Sequence, residues 1–108
     1  MKTLKHYLIV FPSFIILLLI GGCTKNNIDT SSLYLPTNAD VTLNATLPEL
    51  QQGRDLYINN CGRCHGLYSP DNYTPSQWKT ILSRMAPNTS MSTTEIQLVT
   101  KYVSKGKQ

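Results

Sequence analysis

The pentapeptide Cys61-Gly62-Arg63-Cys64-His65 decides how this chain is read. Two thiols stand three positions apart, and an imidazole follows the second directly. At the residue frequencies of this chain such a C-x-x-C-H arises by chance about one time in 700, and it is the attachment signal for a c-type haem. The spacing has a chemical reason. Thiols so placed can each add to one of the two haem vinyl groups, while the neighbouring imidazole reaches the iron from the same turn of chain. Other uses of the pair fail on counting. A structural zinc site wants four Cys or His ligands, and beyond the N-terminal segment the chain offers only Cys61, Cys64 and His65. A thioredoxin-like C-x-x-C belongs in a βαβ setting, and no stretch here alternates at period two. A disulfide between Cys61 and Cys64 closes too small a loop to stabilise much. The expected cofactor is one covalently attached haem c, its iron bound by His65.

Upstream, Lys2 and Lys5 precede an apolar run that ends at Leu19-Ile20-Gly21-Gly22-Cys23. The run is shorter than the ~20 residues a helix needs to span a bilayer. A basic start, a short apolar run and small residues make a secretory signal. The closing pentapeptide resembles a bacterial lipobox, which implies that residues 1–22 are a lipoprotein signal peptide and that Cys23 is lipidated. The rest would then be extracytoplasmic, facing the periplasm and held to a bacterial membrane by lipid rather than by a span. Thr24 after the cysteine leans toward the outer membrane; inner versus outer stays open. An uncleaved N-terminal helix with an incidental cysteine is the bland alternative. The odd total of 3 cysteines also divides cleanly, two for haem and one for lipid.

The same segment explains part of the charge. The chain has 108 residues with 10 Lys+Arg against 6 Asp+Glu, a net charge of +4. Removing Lys2 and Lys5 leaves 8 against 6, a net of +2. No basic run tracks a phosphate backbone, so nucleic acid is excluded as a partner. Residues 23–45, rich in Thr, Asn, Ser and Asp, read as the lipidated N-terminus and a flexible tether with an r.m.s. reach of roughly 25 Å. A loop wrapped over the domain is the alternative for Leu33-Tyr34-Leu35-Pro36.

Residues 46–108 must then fold. Thr46-Leu47-Pro48-Glu49, Thr74-Pro75-Ser76-Gln77 and Ser92-Thr93-Thr94-Glu95 each set a hydroxyl three residues before a carboxylate or amide, as a capping box requires. Trp78, Ile81, Leu82 and Met85 share one helical face, as do Ile96, Val99, Tyr102 and Val103. The pattern predicts an all-α domain with helices near 47–59, 75–86 and 93–104. A chain of this size buries too little apolar surface by itself, so a staple must complete the core.

The domain resembles the small monohaem c-type cytochromes (class I-like) over residues 47–105, in Gly53-Arg54-Asp55-Leu56-Tyr57, Cys61 to His65 and Ile96 to Val103. That resemblance implies a first and last helix crossing at Gly53 and Tyr57 against Leu98 and Tyr102. It also implies a methionine as sixth iron ligand, which raises the potential. The stretch from Trp78 to Met85 resembles the segment whose methionine binds iron, which favours Met85. Met91 is the alternative, although its place directly before the Ser92 cap suits packing. An open sixth site is the third possibility. Trp78, Tyr68, Tyr73, Arg63 and Arg84 are candidate propionate partners. The Gly-Pro whose carbonyl orients the histidine in many relatives is absent, leaving Pro70 or Pro75 to supply one.

The function so implied is that of a membrane-anchored carrier of single electrons between extracytoplasmic redox proteins, as a monomer or a subunit of a redox complex. The propionates would offset the net +2, so strong electrostatic steering is not expected. No Ser/His/Asp set, catalytic carboxylate pair or nucleotide loop appears, so no enzymatic activity and no catalytic residue is expected. A haem-based ligand sensor or gas-binding lipoprotein with an open sixth site is the main alternative. An electron-transfer subunit of an exported dehydrogenase and a zinc-stapled structural lipoprotein are the others.

Overall fold

A computed structural model describes residues 29–107. The expected signal peptide (residues 1–22), His6 within it and the expected lipidation site Cys23 lie outside the described residues. Three α-helices make up the described chain, joined by single 3-10 and π turns: α1 (Leu47–Leu56), α2 (Pro75–Met85) and α3 (Thr93–Val103). Among the described residues no helix is long and apolar enough to cross a membrane. The architecture is all-α.

Each helix starts where its capping chemistry sits. The Glu49 carboxylate accepts from the Thr46 N–H at 2.8 Å. At α2 the Gln77 N–H donates to the Thr74 hydroxyl (3.3 Å) and the Thr74 N–H to the Gln77 side chain (2.9 Å). Ser92 and Glu95 repeat the exchange at 2.7 and 3.3 Å. The first helix ends earlier than expected, at Leu56, and the chain continues as a π turn over Tyr57–Cys61. The Asn60 side chain braces this widened turn, donating to the Leu56 carbonyl at 2.9 Å.

The first and last helices cross at Gly53. A Cβ there would come within 2.8 Å of the Leu98 carbonyl carbon and 2.9 Å of Tyr102 Cβ, so only glycine lets the backbones approach this closely. Leu98 meets Gly53 through its backbone. Lys101 and Glu49 pair at 2.5 Å across the same crossing. The core joins Leu33, Tyr57, Trp78, Leu82, Val99, Tyr102 and Val103.

Residues 33–45 form a strap along the domain, the arrangement that the wrapped-loop alternative describes for Leu33 to Pro36. Leu33, Pro36 and Ala45 are buried. Tyr34 stacks on Tyr102 with ring centroids 4.9 Å apart, and each hydroxyl donates to the other residue's carbonyl, at 3.0 and 3.1 Å. A Thr37–Asp40 capping box opens a short 3-10 turn, and Thr42 pairs with Ala45 around a tight turn. The strap's far end meets the end of α3, where the Gly106 N–H returns to the Lys101 carbonyl (2.8 Å) and the Lys105 N–H to that of Tyr102 (3.0 Å), a Schellman motif. Gly106, at φ 69°, offers its carbonyl to the Thr42 hydroxyl at 3.0 Å.

Candidate functional site

The π turn delivers Cys61 at its last position, and Cys64 and His65 follow in the next turn of chain. Cys61 is partly buried; Cys64 and His65 are exposed. The segment after His65 is fixed from below by Tyr57. Its hydroxyl donates to the Tyr68 carbonyl (2.9 Å) and accepts from the Tyr68 N–H (3.2 Å). His65 Nδ1 lies 2.7 Å from the Gly66 carbonyl. With the proton on Nδ1 for that bond, Nε2 keeps its lone pair for a metal. The expected carbonyl from Pro70 or Pro75 is therefore not the partner. That of Pro70 accepts from the Trp78 indole N–H at 2.9 Å, and Pro75 is the first residue of α2.

Cys61, Cys64 and His65 open onto a cavity of about 410 Å³. The helix α2 lines it with Trp78, Ile81, Leu82 and Met85. Met85, the last residue of α2, lines the cavity and is 41% exposed. Met91 packs against the core instead and does not belong to the lining. Of the candidate propionate partners, Arg63, Tyr68, Tyr73 and Trp78 line the cavity and Arg84 does not. Four lining residues escaped the sequence reading: Asn60, Asn88, Thr89 and Ser90. Asn88 to Ser90 follow Met85 closely, so the Ala86-Pro87 helix stop was the signal that a loop folds back beside it.

The donor set suits a haem better than its competitors. The cavity has the size of a cofactor pocket and a mainly apolar wall. Among the described residues, no three His, Cys, Asp or Glu side chains converge as a metal cluster would require. Thiols bound to a macrocycle's edge and an imidazole aimed at its centre need no such convergence. Cys61 and Cys64 are free thiols. Burial, with a smaller contribution from Cys64, pushes the Cys61 thiol up to about 11. A redox-active C-x-x-C lowers its thiol instead.

Comparison with known proteins adds one relative. The chain is 33% identical over 55 residues to the cytochrome c-type protein TorY of Haemophilus influenzae, which covers 51% of this chain and 15% of that protein. The chain thus matches a small part of a much longer relative. No family model and no solved structure matches the chain. The likeness supports kinship with the c-type cytochromes at that coarse level.

Proposed function

We propose that this chain is a membrane-anchored monohaem cytochrome c that carries single electrons between extracytoplasmic redox proteins. One observation carries the proposal: a single cavity collects the two thiols and imidazole of C-x-x-C-H and, from a separate helix, the thioether of Met85. Bound haem supplies an iron that gains and loses one electron. The residues of the chain do the holding. Cys61 and Cys64 would attach it covalently, and His65 would bind through Nε2, the Gly66 carbonyl keeping the ring in the tautomer that allows this. Met85, from α2, would supply the thioether. Tyr57 and Trp78 fix the segment between His65 and α2 through the carbonyls of Tyr68 and Pro70. The open side, at Cys64, His65, Tyr68 and Met85, is where a redox partner would meet the site. Lipid on Cys23 would hold the domain at a bacterial membrane.

The test is a visible spectrum of the full chain made in a host with haem-maturation machinery, oxidised and then reduced. Sharp reduced c-type bands are expected, together with a weak far-red sulfur-to-iron band that disappears in Met85→Ala and persists in Met91→Ala. Loss of the band in Met91→Ala alone would reverse the ligand assignment. A high-spin spectrum that shifts with carbon monoxide would favour a ligand sensor, a reading consistent with the exposure of Met85. Absence of haem bands would overturn both.

A further inference from the structure

Large apolar side chains stand exposed in two places. Tyr68 and Met85 line the cavity; Leu35, Val41 and Leu43 lie on the strap, and no strap residue lines the cavity. Leu43 is fully exposed at the tip of the turn closed by Thr42 and Ala45. The turn is firmly mounted. Ala45 is buried beneath it and Thr42 bonds the Gly106 carbonyl. Leu35, 67% exposed, stands between Tyr34, stacked on Tyr102, and the buried Pro36. The scaffold therefore fixes these side chains toward solvent.

Single exposed leucines need no explanation. Chain length gives these one. The strap begins at Leu33, ten residues after Cys23. Ten residues reach at most ~36 Å, and about 17 Å as an r.m.s. distance if flexible. With lipid on Cys23, Leu33 stays within that distance of the bilayer, and along the chain the strap is the part of the described domain nearest the anchor. Tethering also makes docking intramolecular, at an effective concentration near the millimolar range, so a small apolar surface suffices. Charge gives little help. Asp40, the strap's acid between 33 and 45, is bound back to Thr37 at 2.8 and 3.0 Å. Lys105 pairs with Asp71.

We propose that the strap is a membrane-docking surface. Leu43, assisted by Leu35 and Val41, enters the headgroup–acyl boundary of the bilayer that holds Cys23, and docking leaves the electron-transfer cavity open. The proposal rests on the lipid-anchor reading above.

The experiment uses the full lipidated, cofactor-loaded protein in phosphatidylcholine vesicles. A nitroxide is placed at Leu43→Cys or, as a control, at Lys79→Cys on the exposed side of α2. With Cys23 acylated and Cys61 and Cys64 occupied, the introduced cysteine is the reactive thiol. The label at 43 is expected to be accessible to oxygen and protected from a water-soluble nickel chelate, unchanged in about 0.5 M salt. The label at 79 stays open to the chelate. Adding Leu35→Ser and Val41→Ser should reduce the protection at 43 by about tenfold. If the protein floats with the vesicles while labels at 43 and 79 meet the chelate equally, docking is wrong and the anchor stands. Protection at 43 without vesicles would point to a protein contact and also overturn docking. A protein that does not float removes the anchor reading and the docking with it.

Discussion

A methyl group at Gly53 has nowhere to go, because what it meets is the Leu98 backbone and the first carbon of the Tyr102 side chain. Neither neighbour can swing aside as a long flexible side chain could. Glycine-to-alanine inside a helix ordinarily gains ~0.5–1 kcal/mol, whereas forced overpacking costs ~1–3 kcal/mol or more. The second effect wins here, and Gly53→Ala should destabilise the loaded protein by about 2 kcal/mol, lowering its melting temperature by roughly 10 °C. An unchanged or raised melting temperature would mean that the helices separate at little cost. Periodicity alone marks Gly53 only as a weak point in a helix; the family resemblance was what made it a crossing. Other residue-level facts were beyond sequence reading. The Trp78 indole finds the Pro70 carbonyl, and His65 finds that of Gly66, because loop geometry and not residue type decides which carbonyl is near.

Helix starts were the most legible elements, since each capping box is a local event completed within four residues. The strap was less so. Polar composition suggested a tether, yet Thr37-Asn38-Ala39-Asp40 carries the same capping pattern as the helices. Whether Leu33, Tyr34 and Pro36 find partners depends on Tyr102, 68 residues from Tyr34, which no local pattern reveals. Element junctions also set the acid behaviour. Lys101 foremost, then the Thr46 backbone and hydroxyl, hold the Glu49 carboxyl down to about 2, from an ordinary 4.5. Because the folded value is the lower one, the stabilisation is complete above about pH 5 and disappears as pH falls toward 2. Protonation loosens both the α1 cap and the α1–α3 pair. Denaturation midpoints measured from pH 6 to pH 2 should therefore decline in the wild type and decline less in Glu49→Gln. The side chain is wet, so the difference is small; parallel curves would show that the pair contributes nothing.

At the scale of the whole molecule the packing is uneven. One half is closed by the protein itself: α1 and α3 meet at Gly53, the strap stacks Tyr34 on Tyr102, and Lys101–Glu49 and the α3 terminus complete it. The other half is α2 and the segment between His65 and Thr74. It holds to the core through Trp78, edge-on to Tyr57 at 6.1 Å, through Leu82, and through the Tyr57–Tyr68 and Lys105–Asp71 bonds. The cavity of about 410 Å³ lies under this half. The cavity is open to solvent and its wall is mainly apolar, so without its cofactor that apolar wall is left against water and gains by relaxing inward. α2 is the part free to do so, because its inner face borders the cavity while α3 is packed on both α1 and the strap. The full chain made without haem maturation should therefore keep much of its helical far-ultraviolet signal and lose the near-ultraviolet signal of Trp78 and Tyr57. Amides of 78–85 should exchange hydrogen at least tenfold faster than in the loaded protein, while those of 99–103 stay protected as long as α1 and α3 hold together. Equal acceleration in both helices would show that the cofactor supports one indivisible core, and no acceleration in α2 would show that the cavity wall stands without it.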